Sequence, residues 1–117
     1  MPKTWPVPAV LRDLKAARKE AGYSLRSLAT ALDISPADLG FYETGRRAVA
    51  HNDAFLTRWL RTVGLPEGRL RELRNAREFV RIHRELDAIG ATADEHAEVR
   101  GVLERLFCDP PKGRRPG

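Results

Sequence analysis

The side chains with chemistry to offer are basic and hydroxylic. Arg46 and Arg47 stand together just past Gly45, and Ser24-Leu25-Arg26 and Ser35-Pro36 each read as the start of a helix. Guanidinium groups and the free N–H groups of a helix start both hold anionic oxygens, phosphate above all. The bland alternative for the arginines is ordinary solvated charge. His51, His83 and His96 are scattered, and no pair of them has metal-ligand spacing with a cysteine or carboxylate set, so no zinc site is expected. There is no glycine-rich phosphate loop, nucleophile elbow or H-E-x-x-H pattern, so the chain is expected to be no enzyme and to need no cofactor. Cys108 is the single cysteine; it cannot close an internal disulfide and fits an inert cytosolic thiol.

The elements that must carry these residues are helices. The 117 residues suffice for one ordinary domain, or a small domain with an appendage, and 42% are hydrophobic, enough for a core without disulfide or metal staples. No apolar run reaches membrane-spanning length and no N-terminal signal pattern is present, so a cytoplasmic protein is expected. Pro2, Pro6 and Pro8 make residues 1–8 an extended arm, in which Trp5 either packs back on the domain or touches a partner. A helix from about Ala9 to Ala21 carries Val10, Leu14, Ala17 and Ala21 on one stripe and stops at Gly22. Ser24 caps a helix over Leu25–Leu32, and Asp33 suits a left-handed turn. Ser35 caps the next helix, with Pro36 at its first position, Asp38 completing an S-x-x-D box and Gly45 ending it.

From about Asn52 to Val63, Phe55, Leu56, Trp59, Leu60 and Val63 form a wide apolar face. Pro66 opens a helix that continues to about Ile89, about 23 residues or roughly 35 Å. Glu67–Arg71, Arg74–Glu78 and Arg81–Glu85 are its i, i+4 pairs. Thr92 and Glu95 form a capping box for a last helix to about Phe107, and residues 108–117 read as a disordered basic tail. Alternation with period 2 is missing, so the fold class is all-α. The formal charge is +5. Residues 1–65 carry ten Lys/Arg against six Asp/Glu, whereas residues 66–107 carry eight against nine. The folded basic surface therefore belongs to the N-terminal half, which permits an anionic partner.

The run from Leu14 to Arg47 carries an ordered set: Arg18, Gly22, Ser24, Leu28, Ala29, Ile34, Ser35, Leu39, Glu43, Gly45, Arg46 and Arg47. It resembles the Cro/repressor-type helix-turn-helix family, often called the XRE family, over about residues 9–65. Beside the resemblance, Leu25, Leu28, Leu32, Ile34, Leu39 and Tyr42 can form one shared core, with Ala29 small where two helices cross. The resemblance implies a five-helix-type repressor domain whose third helix lies in the major groove while the second crosses the backbone. It implies a bracing salt bridge between Arg18 and Glu43. It turns Pro36, Ala37, Asp38 and Phe41 toward base edges, with Gly40 alongside. Arg26, Arg46, Arg47 and the N–H groups near Ser24 and Ser35 then meet phosphates. None of the base-facing residues is Arg, Lys, Gln or Asn, so this face offers no bidentate readout of guanine or adenine. Ala37 and Phe41 can meet thymine methyls. Asp38 either accepts from a cytosine or caps its own helix, and Phe41 either reads or joins the core.

The segment 66–107 has little interior of its own. It either docks on the first four helices or pairs with a second copy; it is expected to be a dimerisation or partner-binding extension acting through Phe79, Val80, Leu86, Val99, Leu103 and Leu106. The function this points to is a sequence-preferring, DNA-binding transcription regulator. It is expected to be a repressor of bacterial or phage origin: a homodimer on double-stranded DNA, cytoplasmic and nucleoid-associated, with no membrane partner. The reader-poor third helix leaves an alternative of another class, a module that binds protein as an antitoxin, an anti-repressor or a regulator's partner. A nonspecific architectural DNA protein is a further option.

Overall fold

The computed structural model describes residues 5–107, and every regular element among them is helical. In order these are α1 (Ala9–Glu20), α2 (Leu25–Leu32), α3 (Pro36–Thr44), α4 (Asp53–Val63), a 3-10 turn (Glu67–Arg69), α5 (Leu70–Ala88) and α6 (Ala93–Phe107). The proposed tail 108–117, with Cys108, and residues 1–4 of the proposed arm lie outside the described residues.

Local chemistry accounts for where the helices begin. Ser24 Oγ accepts from Ser27 N at 3.0 Å and Ser27 Oγ accepts from Ser24 N at 2.9 Å, a reciprocal box closed by a serine that the sequence pattern did not single out. Asn52 Oδ1 accepts from Phe55 N at 3.1 Å at the start of α4. The Thr92–Glu95 box forms as expected, with Thr92 N on Glu95 Oε1 at 2.8 Å and Glu95 N on Thr92 Oγ1 at 3.1 Å. Asp33 takes the left-handed conformation that its place in the turn requires, with φ 62°.

The long helix departs from expectation in two ways. Pro66 stays extended, with ψ 138°, so a 3-10 turn intervenes and α5 starts only at Leu70. Its charged side chains also choose other partners than the i, i+4 pairs. Arg69 binds Asp13 of α1 at 2.9 Å and Glu72 at 2.8 Å. Arg74 reaches Asp53 of α4 at 3.5 Å, Arg81 takes Glu78 at 2.8 Å, and Glu67 goes to Arg61 of α4 at 2.7 Å. The cause is packing: α5 lies against both α1 and α4, which brings their carboxylates and arginines within reach.

That packing also corrects the boundary at residue 66. One apolar cluster runs from Trp5, Val10 and Leu14 through Leu28, Leu39, Leu56 and Trp59 to Leu73, Ala76 and Val80. The first half of α5 therefore completes the N-terminal domain instead of opening an appendage. Trp5 packs back into the same core. α6 folds across Gly90 and packs on α5. Val80 is 1% exposed and Leu103 is 6% exposed, so both belong to the chain's own interior and not to a surface that a second copy could cover. Phe79 packs against the core, and Leu86 and Val99 are half-buried. Of the six proposed contact residues, Leu106 is the one that stands well out, at 65%; Ile89 at 78% and Val102 at 44% are exposed as well.

Candidate nucleic-acid interface

α3 is held on one side and open on the other. Leu39, Tyr42 and Glu43 are buried, Ala37 is exposed, and Asp38 and Phe41 are half-buried. The hold begins in the turn from α2, where Ile34 N donates to Ala29 O at 3.0 Å and the Ile34 side chain packs on the core. Arg58 of α4 donates from Nη2 to Leu32 O at 3.1 Å, tying down the last turn of α2, a role no sequence pattern flagged. Gly40 sits at the α2–α3 crossing. A Cβ there would lie 3.4 Å from Leu25 Cδ2, an ordinary contact, and Gly40 is half-buried like Pro36, Asp38 and Phe41.

The bracing pair implied by the resemblance is present. Arg18 Nε donates to Glu43 Oε2 at 2.8 Å and Nη2 to Oε1 at 3.3 Å, while Nη1 donates to Tyr23 O at 3.1 Å. Both side chains are buried, so the pair differs from an exposed surface bridge. Its forked geometry fixes α3 against α1, and each charge depends on the other for solvation.

Beyond α3 the chain winds back over the helix end. Gly45 adopts φ 73°, which frees the next residues to turn. Arg46 N and Arg47 N then both donate to Phe41 O, at 2.9 and 3.3 Å. This carries the Arg47 guanidinium onto the open face, where it lies 4.7 Å above the Phe41 ring, with Nη1 3.4 Å from Asp38 Oδ1. Both open alternatives acquire a finer answer. Ser35 Oγ caps α3 by accepting from Asp38 N at 3.0 Å, but the Asp38 carboxylate turns to Arg47 and does not close the box. Phe41 is neither fully core nor free; it is the platform on which Arg47 rests.

The remaining expected contacts are placed as follows. Arg26, Arg46 and Arg47 are exposed, as are Ser24 and Ser35, and Pro36 is half-buried at the first position of α3. The caps occupy the N–H groups of Ser27 and Asp38, which reduces what the two helix starts can give to a phosphate. His51 is held between Tyr42, 5.8 Å away, and Phe55, at 4.3 Å, and behaves as a packing ring.

Sequence reasoning treated the other two histidines as unrelated. They meet. His83 Nδ1 and His96 Nδ1 are 2.7 Å apart and both residues are fully buried between α5 and α6. Reflecting the two helices about Gly90 would have suggested the contact. Among the described residues no group of three or more His, Cys, Asp or Glu is arranged to hold a metal ion, and no helix is long and apolar enough to cross a membrane.

Compared with known proteins, residues 10–73 match the helix-turn-helix domain family. The match covers more than half of the chain and agrees with the resemblance read from Arg18 to Arg47; the chain belongs to this family. It also reaches into α5, as the shared core does. No curated protein and no solved structure matches the chain.

Proposed function

We propose that this helix-turn-helix chain is a sequence-preferring, duplex-DNA-binding transcription regulator that inserts α3 into the major groove. The observation that carries this reading is the two-sided state of α3. Leu39, Tyr42 and the Arg18–Glu43 pair lock one side, and the other presents Ala37 and Phe41, with an arginine laid over the Phe41 ring. Because α3 itself lacks a hydrogen-bonding reader, Arg47 is its nearest source of bidentate donors at a base edge, and Arg26 and Arg46 serve phosphates. Modest sequence preference, aided by DNA shape, follows from so few readers.

Such a protein acts by occupancy, without turnover, and repression needs nothing more. We place it in the cytoplasm at the nucleoid of a bacterium or a phage host, as a homodimer on an inverted repeat. The exposed Ile89, Val102 and Leu106 are the apolar side chains left for a second copy. The alternative, a protein-binding module, draws on the same reader-poor face of α3 and the same apolar residues.

Selection from a random duplex pool at about 0.15 M salt separates these readings. Enrichment of an inverted repeat supports the dimeric regulator. Recovery of DNA without enrichment replaces it with architectural binding, and no retained DNA replaces it with the protein-binding module. With an enriched site in hand, Arg47→Ala should relax preference at specific positions. Arg46→Ala should weaken all duplexes alike and lower the log–log salt slope by about 0.9.

A further inference from the structure

The α5–α6 junction is sealed by a polar cluster that DNA binding does not use. His83 and His96 lie edge to edge in nearly one plane, with centroids 5.0 Å apart, ring planes at 12° and their Nδ1 atoms at 2.7 Å. His83 also stacks on Trp5 at 5.2 Å and leans on Phe79 at 4.4 Å. Trp5 Nε1 donates to Asp87 Oδ2 at 3.2 Å, and Asp87 Oδ1 lies 3.0 Å from His96 Nε2 without the alignment of a hydrogen bond. Arg84 pairs with Asp87 at 3.6 Å. Arg100 of α6 adds positive charge beside His83, and its Nη1 is buried without a partner, as is His83 Nε2. The groups facing the pair are therefore Asp87 and, through it, Arg84 from α5, Arg100 from α6, and the Trp5 ring from the arm.

Two nitrogens at 2.7 Å share one hydrogen: one ring donates and the other accepts. Asp87 beside His96 Nε2 favours a proton there, which makes His96 Nδ1 the acceptor and His83 Nδ1–H the donor. We infer that the His83–His96 contact is a proton-operated latch. The neutral pair holds α6 and the Trp5 arm on α5, and one proton taken up by His83, whose Nε2 is buried without a partner beside Arg100, releases them. The charges agree with the geometry. Burial, His96 and Arg100 push the His83 imidazole down to about 4, against a partial opposing pull from Asp87. A group held below its ordinary value of 6.5 favours the docked state above that pH and loses the docked state as pH falls toward 4. One proton taken up on release changes the docking equilibrium by about tenfold per pH unit inside that window.

Hydrogen exchange of the full chain tests the latch, with α2 and α3 amides as internal reference. From pH 7.5 to pH 5, after correction for intrinsic exchange, amides of α6 and of residues next to Trp5 should lose protection by roughly 20–30-fold, while α2 and α3 hold theirs. His83→Phe, which keeps an aromatic ring against Trp5 and Phe79, should abolish the difference. A wild-type α6 that stays protected at pH 5, or the same loss in His83→Phe, overturns the inference. If the variant misfolds, ring nitrogen signals in the wild type decide. A His83 ring that takes its proton near pH 6.5 with α6 still docked overturns the latch, and a ring that stays neutral until α6 protection falls supports it. None of these outcomes depends on whether the chain binds DNA.

Discussion

The α2–α3 unit and the α5–α6 hairpin are both pairs of helices joined by a short turn, yet they are sealed by opposite means. Between α2 and α3 the contact is apolar: Leu28, Ala29, Leu32 and Leu39 are buried, and the single buried ion pair nearby is matched fork to fork. Between α5 and α6, Val80 and Leu103 flank two buried imidazoles and an arginine nitrogen without a partner. An apolar seal is indifferent to pH. A polar network that is only partly satisfied is expensive in a low-dielectric interior and sensitive to every proton it gains. The contrast suggests a constitutive half that presents α3 and a conditional half that carries α6.

The comparison can be broken or sharpened by measurement. The largest effect is expected from Glu43→Ala, which leaves Arg18 buried and uncompensated. It should cost about 3–5 kcal/mol in urea unfolding, and Arg18→Met combined with Glu43→Leu should restore most of that. A loss under about 1 kcal/mol would mean that the pair does not brace α3. Leu28→Ala should cost about 2–5 kcal/mol and lower protection across α1 to α5 together, whereas Leu103→Ala should loosen α6 and spare α2 and α3. Equal, global losses from both would erase the distinction between the halves. Next in size is pH. With His83 held near 4 against an ordinary 6.5, its contribution is complete above pH 6.5 and fades down to pH 4. The shift amounts to on the order of 3 kcal/mol, read as the difference between wild type and His83→Phe at each pH. The smallest expected effect, about 1 kcal/mol, comes from the helix caps. Asn52→Ala should shift global unfolding, and Thr92→Ala should shift only the exchange of α6.

Much of the constitutive half was legible because its signals are local. Serine caps, a left-handed Asp33, Gly45 and the stripe on α4 each announce themselves within a few residues, and the resemblance supplied the Arg18–Glu43 pair. The conditional half was not legible, because its decisive contacts lie between segments. His83 meets His96 only after the chain reverses at Gly90, and Trp5 and Asp87 stand 82 residues apart in sequence. Whether the C-terminal helices dock on the first four or pair with a second copy stays open in the sequence for a related reason. The apolar stripe of α5 reads the same whether it covers a second copy or α1 and α4, and packing decided for α1 and α4. Asp38 shows the limit at the site itself. The S-x-x-D spacing fits a cap, but an arginine nine residues later is a stronger partner for a carboxylate than a neutral N–H.

Trp5 gives the fold a chronology. Its ring touches the start of the loop after α3, at 3.8 Å from the position a Gly45 Cβ would take, and the far end of α5 through Phe79, His83 and Asp87. The arm, made before α1, thus comes to rest on residues 79–87, which are made well after it. On the ribosome α1 to α4 can assemble from neighbours in sequence, while the arm waits with an indole exposed until residues 79–87 have emerged. The arm and hairpin should therefore close after α1 to α4 during birth of the chain. A bulky fusion at the amino terminus should delay that closure more than one at the carboxyl end.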